Sequence, residues 1–391
     1  MKKIAIITKN TTFNKYYGGL EIHTKLLIDR LSESGFEIHV FSPIRELKNE
    51  YISDGDKKYF FVNCHYKTGP LSYFSKNSWY QKLINFFNSK NEENKYDLVI
   101  SVSSAGYPLI ENKAKYTFKI LTISHGSAYS EFKSILNESG VSFGVIKNLP
   151  YFLYNYFFKQ KSFILNSDFV VAVSNYVKDS VISETGLDES KMLVIHNGSK
   201  IENFVKEFSE HGVLKVLFAG RVERSKGIMI LLSSVRDLDV ELIIAGNGSL
   251  LEEAKHRCKE LRIEHKVKFL GKLDIKQLND EYKKADILVA PSLRLEGFPM
   301  SIVEGMAYYL PVIASKIGGN SDAVFEGRNG FLIEPNDVHE LNERIKFFNT
   351  YPEKIKQFGI NSRNLAEQKF NLDIMIEEYT KKINDLLKGN K

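Results

Sequence analysis

What most constrains the fold of this chain is a recurrent couplet: a short apolar, β-branched run ends in small or polar residues and is followed by apolar residues at helical spacing. A strand covered on both faces reads as such an unbroken apolar run, and parallel strands need a crossover, usually helical, between them. In the first half the runs are Lys3–Thr8, Glu37–Ser42, Asp97–Ser103, Phe118–Ser124, Phe169–Ser174 and Met192–Ile195. In the second half they are Lys215–Ala219, Glu241–Ala245, Lys268–Leu270, Ile287–Ala290, Pro311–Ala314 and Phe331–Ile333. Two doubly wound α/β domains follow, and 391 residues are more than one hydrophobic core usually organises. Asn197-Gly198 closes the first set, and the polar stretch Ser199–Gly212 reads as a linker, so the expected domains are 1–205 and 206–371. The remainder, 372–391, holds a terminal helix that packs on one domain or across both.

Composition narrows the functional classes. With 43% hydrophobic and 26% charged residues the chain is an ordinary globular protein. Cys64 and Cys258 lie too far apart for a CxxC metal or redox pair and give no disulfide framework, which fits a reducing cytoplasm. Ile4-Ala-Ile-Ile7 is too brief for a signal-peptide core, and no segment reaches membrane-spanning length. A net charge of +6 suggests an anionic partner. Without zinc-finger spacing, an RNP-like aromatic motif or a basic-region heptad, nucleic acid is not expected to be that partner.

In an open parallel sheet, ligands bind beyond the carboxyl ends of the strands, so candidate residues are sought just after them. Arg221 and Lys226 follow the strand ending in Ala219; a guanidinium fork and a compact ammonium suit a diphosphate, although two solvated loop cations would look the same. Glu296 and Glu304, eight residues apart, are about 80° out of phase on a helix and so do different jobs. Pro299 suits a first helical turn, which leaves Glu296-Gly-Phe298 in the preceding loop and Glu304 about a turn inside. Free amides at that helix start can hold phosphate and Glu304 can accept from ribose hydroxyls; taken singly, both glutamates are more often solvated charges. Gly18-Gly19 opens a helix, and His125 ends a strand at the ligand edge, where a structural histidine is an equal reading. Asp237-Leu-Asp239 has the spacing of a metal-binding DxD pair but precedes its strand, at the opposite sheet edge, and is set aside.

The motifs Gly220-Arg221-Val-Glu-Arg-Ser-Lys226-Gly227, Ala245-Gly-Asn-Gly-Ser249, Phe269-Leu-Gly271, Ala285-Asp-Ile-Leu-Val-Ala-Pro-Ser292, Glu296-x7-Glu304 and Gly318-Gly319 occur in an order that resembles the retaining glycosyltransferases of family 4. Gly18-Gly19, His125-Gly126, Val173-Ser174 and Ile195-His-Asn-Gly198 extend the resemblance through the first half. It implies a GT-B fold, two Rossmann-like doubly wound domains facing across a cleft. The N-terminal domain would bind acceptor, the C-terminal domain the nucleotide sugar, and the terminal helix would cross back to the first domain. It further implies that Arg221 and Lys226 bind the diphosphate, Glu304 the ribose, and Glu296 with the backbone of Gly297, Phe298, Pro299 and Met300 the donor sugar. Gly246 and Leu270 join the donor-binding set. Gly18 and Gly19 close over the donor phosphates, and His125 sits near the reacting centre as a positioning group. No metal and no cofactor are expected. The implied reaction transfers a hexosyl-type group from a UDP- or GDP-sugar, with retention, to a glycan or lipid-linked acceptor in cell-surface polysaccharide or glycolipid synthesis. A sugar-nucleotide epimerase of the same architecture and a non-catalytic nucleotide-binding subunit are the rivals. Two departures stand out: Gly305 where alanine is more usual, and Asn320-Ser-Asp322 where a proline-glutamate pair is common.

Two aromatic stretches, 66–90 and 141–161, carry lysines and no acid. Either they are core-facing helices with solvated lysines, or they touch an anionic membrane surface and hold the protein peripherally on its inner face.

Overall fold

The computed structural model describes residues 1–13, 18–44, 51–64, 78–139, 143–208 and 212–388. They fall into two compact units, one of Met1–Phe132, Ser142–Ile195 and Met375–Lys391, the other of Lys133–Val141 and His196–Ile374. The division comes at Ile195, ahead of the expected 205, and the C-terminal helix Leu372–Lys388 belongs with the first unit from Met375 onward.

The first unit is built on strands β1 (Lys3–Ile7), β2 (Glu37–Pro43), β3 (Tyr51–Asp54), β4 (Lys57–Val62), β5 (Leu98–Val102), β6 (Lys119–Ser124), β7 (Phe169–Ala172) and β8 (Met192–Val194). Their order is β3-β4-β2-β1-β5-β6-β7-β8. All neighbours are parallel except β3 and β4, and β1 pairs Ile4 with Ile38 on one side and with Leu98 on the other. Ile4, Ala5, Ile6 and Ile7 are fully buried, because helices cover both faces of the sheet centre. The strand order reverses between β1 and β5, the switch point where a crevice opens. The β3–β4 hairpin was not among the expected strands. It turns through Gly55 at φ 60°, the left-handed position that a tight antiparallel turn requires.

The second unit has β9 (Leu214–Ala219), β10 (Val240–Ala245), β11 (Val267–Gly271), β12 (Ile287–Ala290), β13 (Val312–Ser315) and β14 (Gly330–Ile333) in the order β11-β10-β9-β12-β13-β14, all parallel. Leu217 pairs with Ile243 on one side and Leu288 on the other, so the switch point lies between β9 and β12. Val216, Leu242 and Ile313 of these strands pack with Leu231 and Phe348 of the flanking helices in one core. Every run named from the sequence is a strand, to within two residues at its ends.

Candidate active site

In the second unit, the loops beyond the carboxyl ends of the strands are tied to one another by backbone hydrogen bonds. After β9, Gly220 N donates to Ala245 O at 3.0 Å and Val222 N to Asn247 O at 3.0 Å, which fixes the turn after β10. Gly246 sits there at φ 157°, and a Cβ on it would lie 1.7 Å from Gly220 O, so no side chain fits. Leu293 N donates to Ser225 O at 2.8 Å, which joins the loop after β12 to the loop after β9. Gly319 N donates to Glu296 O at 2.8 Å, and Gly318, at φ 54°, approaches so closely that a Cβ would meet that carbonyl at 2.2 Å. The backbone of Glu296 is thereby pinned from the loop after β13.

This frame brings Lys226 and Glu296, seventy positions apart in sequence, into an ion pair across the switch point. Ser292 Oγ donates to the same carboxylate oxygen at 3.1 Å. Burial works to raise the pKa of Glu296, but Lys226 as charge and donor, the nearby Arg294 charge and Ser292 together hold it below the usual carboxylate value. Arg221 is not drawn into this pair: its guanidinium is more than half exposed and bonds Glu223 at 3.0 Å.

Glu304 lies inside the helix Met300–Ala307, where Pro299 occupies the cap position. Its Oε2 accepts from Tyr282 Oη at 3.0 Å, and Tyr282 is buried and stacked on Tyr308 at 5.7 Å between ring centroids. Burial raises the pKa of Glu304, and the Tyr282 hydrogen bond offsets part of that rise. Both glutamates are buried but shifted in opposite directions, and only Glu304 lies on the helix. The Phe298 ring is buried against His196, at 5.1 Å, and Phe370, at 5.4 Å, so its loop can offer a ligand backbone rather than that ring. Gly305 faces Leu288, whose Cδ2 would lie 2.8 Å from an added Cβ, which accounts for the missing alanine methyl. Leu270 is 37% exposed at the end of β11.

Sequence reasoning missed Ser292, Tyr282 and the pair His196–Asp322, where Nε2 meets Oδ2 at 2.9 Å. Asp322 stands in the segment that departs from the family pattern, so a carboxylate is present there after all. Asp237 and Asp239 precede β10 at the far edge, and among the described residues no three His, Cys, Asp or Glu side chains gather as metal ligands.

In the first unit, Gly18 caps the helix Gly19–Glu33 with φ −132°, and its N–H donates to Glu21 Oε2 at 2.8 Å. Asn10 holds the other oxygen of Glu21 at 3.0 Å. Among the described residues a Cβ at Gly18 would meet nothing nearer than Glu21 Oε2 at 3.7 Å. Gly19 is exposed.

His125 follows β6, its Nδ1 3.3 Å from Ser103 Oγ and its ring 5.7 Å from that of His23. Burial, with the neighbouring His23, pushes its pKa down to about 3; burial alone takes His23 to about 4. His23 Nε2 contacts Met375 Sδ at 3.3 Å, and the buried His125 Nε2 has no hydrogen-bond partner among the described residues. Near neutral pH, His125 is therefore an uncharged imidazole.

Of the aromatic-basic stretches, Tyr73 and Phe74 lie outside the described residues. Trp79, Leu83 and Phe87 of the helix Trp79–Asn94 are buried, and Trp79 Nε1 donates to Ala105 O at 2.9 Å, so the described part of the first stretch packs inward.

Residues 17–203 match the family described as Glycosyltransferase Family 4, and residues 199–365 match that described as Glycosyl transferases group 1. An uncharacterized glycosyltransferase of Methanocaldococcus jannaschii is 29% identical over 90% of this chain and 91% of its own. The capsular polysaccharide biosynthesis glycosyltransferase CapM of Staphylococcus aureus is 26% identical over 65% of this chain and 70% of its own. A crystal structure of Alr3699/HepE from Anabaena in complex with UDP superposes with a TM-score of 0.72 at 19% identity, covering 98% of this chain and 100% of that one.

Proposed function

The chain belongs to glycosyltransferase family 4 and is a glycosyltransferase of the GT-B fold; from this premise we propose that it transfers a hexosyl-type group from a nucleoside diphosphate sugar with retention and without a metal. The observation that carries the reading is the Lys226–Glu296 pair at the switch point between β9 and β12. In this reaction the bond from the anomeric carbon to the diphosphate oxygen breaks, and negative charge collects on the departing nucleoside diphosphate. An ammonium held by a carboxylate is already positioned to receive that charge, and it retains hydrogens for a phosphate oxygen. Arg221, exposed in the same loop, and the amides at the start of the helix Met300–Ala307 add positive potential without a cation. Gly246 and Leu270 border the same sheet edge.

Glu296, with the backbone of Gly297, Phe298, Pro299 and Met300, is assigned to the donor sugar. Glu304 is assigned to the ribose: a buried carboxylate that receives a single protein hydroxyl bond gains most from two more hydroxyl donors. The first unit is assigned to the acceptor. His125, neutral and with Nε2 unpartnered among the described residues, suits positioning by a hydrogen bond rather than proton transfer near pH 7. Gly18 and Gly19 are assigned to close approach of a phosphate at a helix start; a Cβ at Gly18 meets nothing nearer than 3.7 Å among the described residues, so packing there leaves room for that role.

The UDP complex of the Anabaena protein supports a UDP-sugar ahead of a GDP-sugar, and the capsular polysaccharide role in CapM's name supports cell-surface polysaccharide synthesis; a glycan or lipid-linked acceptor is the acceptor class we assign to it. The test is a panel of UDP- and GDP-sugars incubated with the protein, with and without oligosaccharide and lipid-linked acceptors, followed by product analysis. The expected outcome is nucleoside diphosphate release that accelerates with an acceptor and yields a product of unchanged anomeric configuration. Isomerisation of the donor alone would replace the reading with an epimerase, and binding without turnover with a non-catalytic subunit.

A further inference from the structure

The first unit holds a lysine ammonium at its switch point that the fold draws out of water without pairing it. β1 and β5 meet there, paired from Ile4–Leu98 to Ile7–Ser101, so the segments leaving their carboxyl ends border one crevice. Lys9 lies two residues beyond β1. Beyond β5 the chain turns at Ser103, at φ 51°, and enters the short helix Tyr107–Glu111. That helix packs against the helix Gln160–Leu165, which is entered through a π-helical turn, Asn155–Lys159. The turn ends on Lys159 and sets its Nζ 5.7 Å from the centre of the buried Tyr107 ring. A non-glycine residue at positive φ and a π turn are both uncommon backbone states that gather at functional sites.

Among the described residues, no carboxylate and no hydrogen-bond acceptor lies within bonding distance of the Lys159 ammonium. Burial first, then the charge of Lys9, push its pKa down to about 8, and Glu131 on the helix Ala128–Ser139 offsets part of that fall without pairing with it. The face of the Tyr107 ring returns only part of the hydration that an ammonium loses on burial. A lysine placed for packing alone would extend its ammonium to water, whereas this one is held where a second cation opposes it. An arriving anion relieves both the lost hydration and the repulsion. Lysine ammoniums are compact charges without a fixed fork, which suits an anionic oxygen group carried on a sugar. We propose that Lys159 and Lys9 bind an anionic group of the acceptor, a phosphate or a sugar carboxylate, in the crevice of the first unit. The proposal rests on the assignment of the first unit to the acceptor and narrows that acceptor to a negatively charged one.

The test is calorimetric titration of the full-length protein, saturated with UDP to fill the phosphate site of the second unit, with glucose 6-phosphate, glucuronic acid and glucose. Wild type should bind at least one charged sugar about tenfold or more tightly than glucose, and the one it prefers identifies the group as phosphate or carboxylate. Lys159→Met keeps an unbranched side chain against the Tyr107 ring and should reduce that preference at least about tenfold, with a thermal midpoint unchanged or higher because a buried charge is gone. Lys9→Met should weaken the same preference, so the proposal stays open to refutation if the first variant does not fold. UDP affinity should be equal in all three proteins; a wild type that binds no UDP would strike the donor reading, and the sugar preference would still decide this one. The proposal is overturned if wild type binds neither charged sugar more tightly than glucose, or if a folded variant at either lysine keeps the full preference.

Discussion

At the residue scale, Glu304 sits in an environment that works against its own charge, since burial raises its pKa and one tyrosine hydroxyl offsets only part of the rise. Its folded pKa lies above the unfolded one, so its contribution to stability is fully present below the unfolded value and is lost as pH rises through the folded one. At pH 7 it is a net cost that a ligand's hydroxyls can relieve. Glu304→Gln keeps an acceptor for Tyr282 and removes the buried charge. The variant should melt at or above the wild-type temperature while binding UDP about tenfold or more weakly, as expected for losing hydrogen bonds to a charged group. A lower midpoint with unaltered UDP affinity would remove Glu304 from the ribose. Gly246 makes the reverse case: with φ 157° and Gly220 O 1.7 Å from any Cβ, Gly246→Ala should displace the loops after β9 and β10 and lower the melting temperature. An unshifted midpoint in a thermal scan would contradict the close approach. Lys226 and Glu296 were legible in the sequence as loop residues beyond strand ends. Tyr282 and the His196–Asp322 pair were not, because their partners lie 22 and 126 positions away and only the fold joins them.

At the element scale, the helix Gly19–Glu33 holds His23 beside the His125 that ends β6, and neither is charged near neutral pH. Both folded pKa values, about 4 and about 3, lie below the ordinary 6.5. The unfolded chain therefore takes up protons that the folded chain refuses. Their stabilising contribution is intact above pH 6.5 and is lost as pH falls toward 4, at about 1.4 kcal/mol per pH unit for each histidine. Urea unfolding at pH 7 and pH 5 should show this loss, and His23→Leu should shrink it; an identical pH dependence in the variant would show that His23 does not titrate this way. The parallel strands were legible because a strand buried on both faces writes a continuous apolar run. The β3–β4 hairpin escaped because Tyr51 and Ser53 are more exposed than their neighbours, leaving no apolar run in β3. The Asp54-Gly55-Asp56 turn was the signal that could have found it.

At the scale of the whole molecule, two doubly wound sheets each place their chemistry beyond the carboxyl ends of the strands, a direct consequence of parallel topology. The sequence carried the two-unit organisation because each unit repeats the same couplet of apolar run and helix. It did not carry the fate of the aromatic stretches, since an amphipathic pattern states that a helix has an apolar face without stating what covers it. Trp79, Leu83 and Phe87 turn theirs to the core, whereas Leu153 and Phe157 turn theirs outward. The central claim is that fixed cationic charge in the second unit drives departure of the nucleoside diphosphate, and it rests most heavily on Lys226. Its most direct test is the steady-state rate of nucleoside diphosphate release from the donor that the panel selects, for wild type and for Lys226→Ala shown by circular dichroism to be folded. The rate should fall by about a hundredfold or more, equivalent to roughly 3 kcal/mol of lost transition-state stabilisation; release at a near-normal rate would contradict the account.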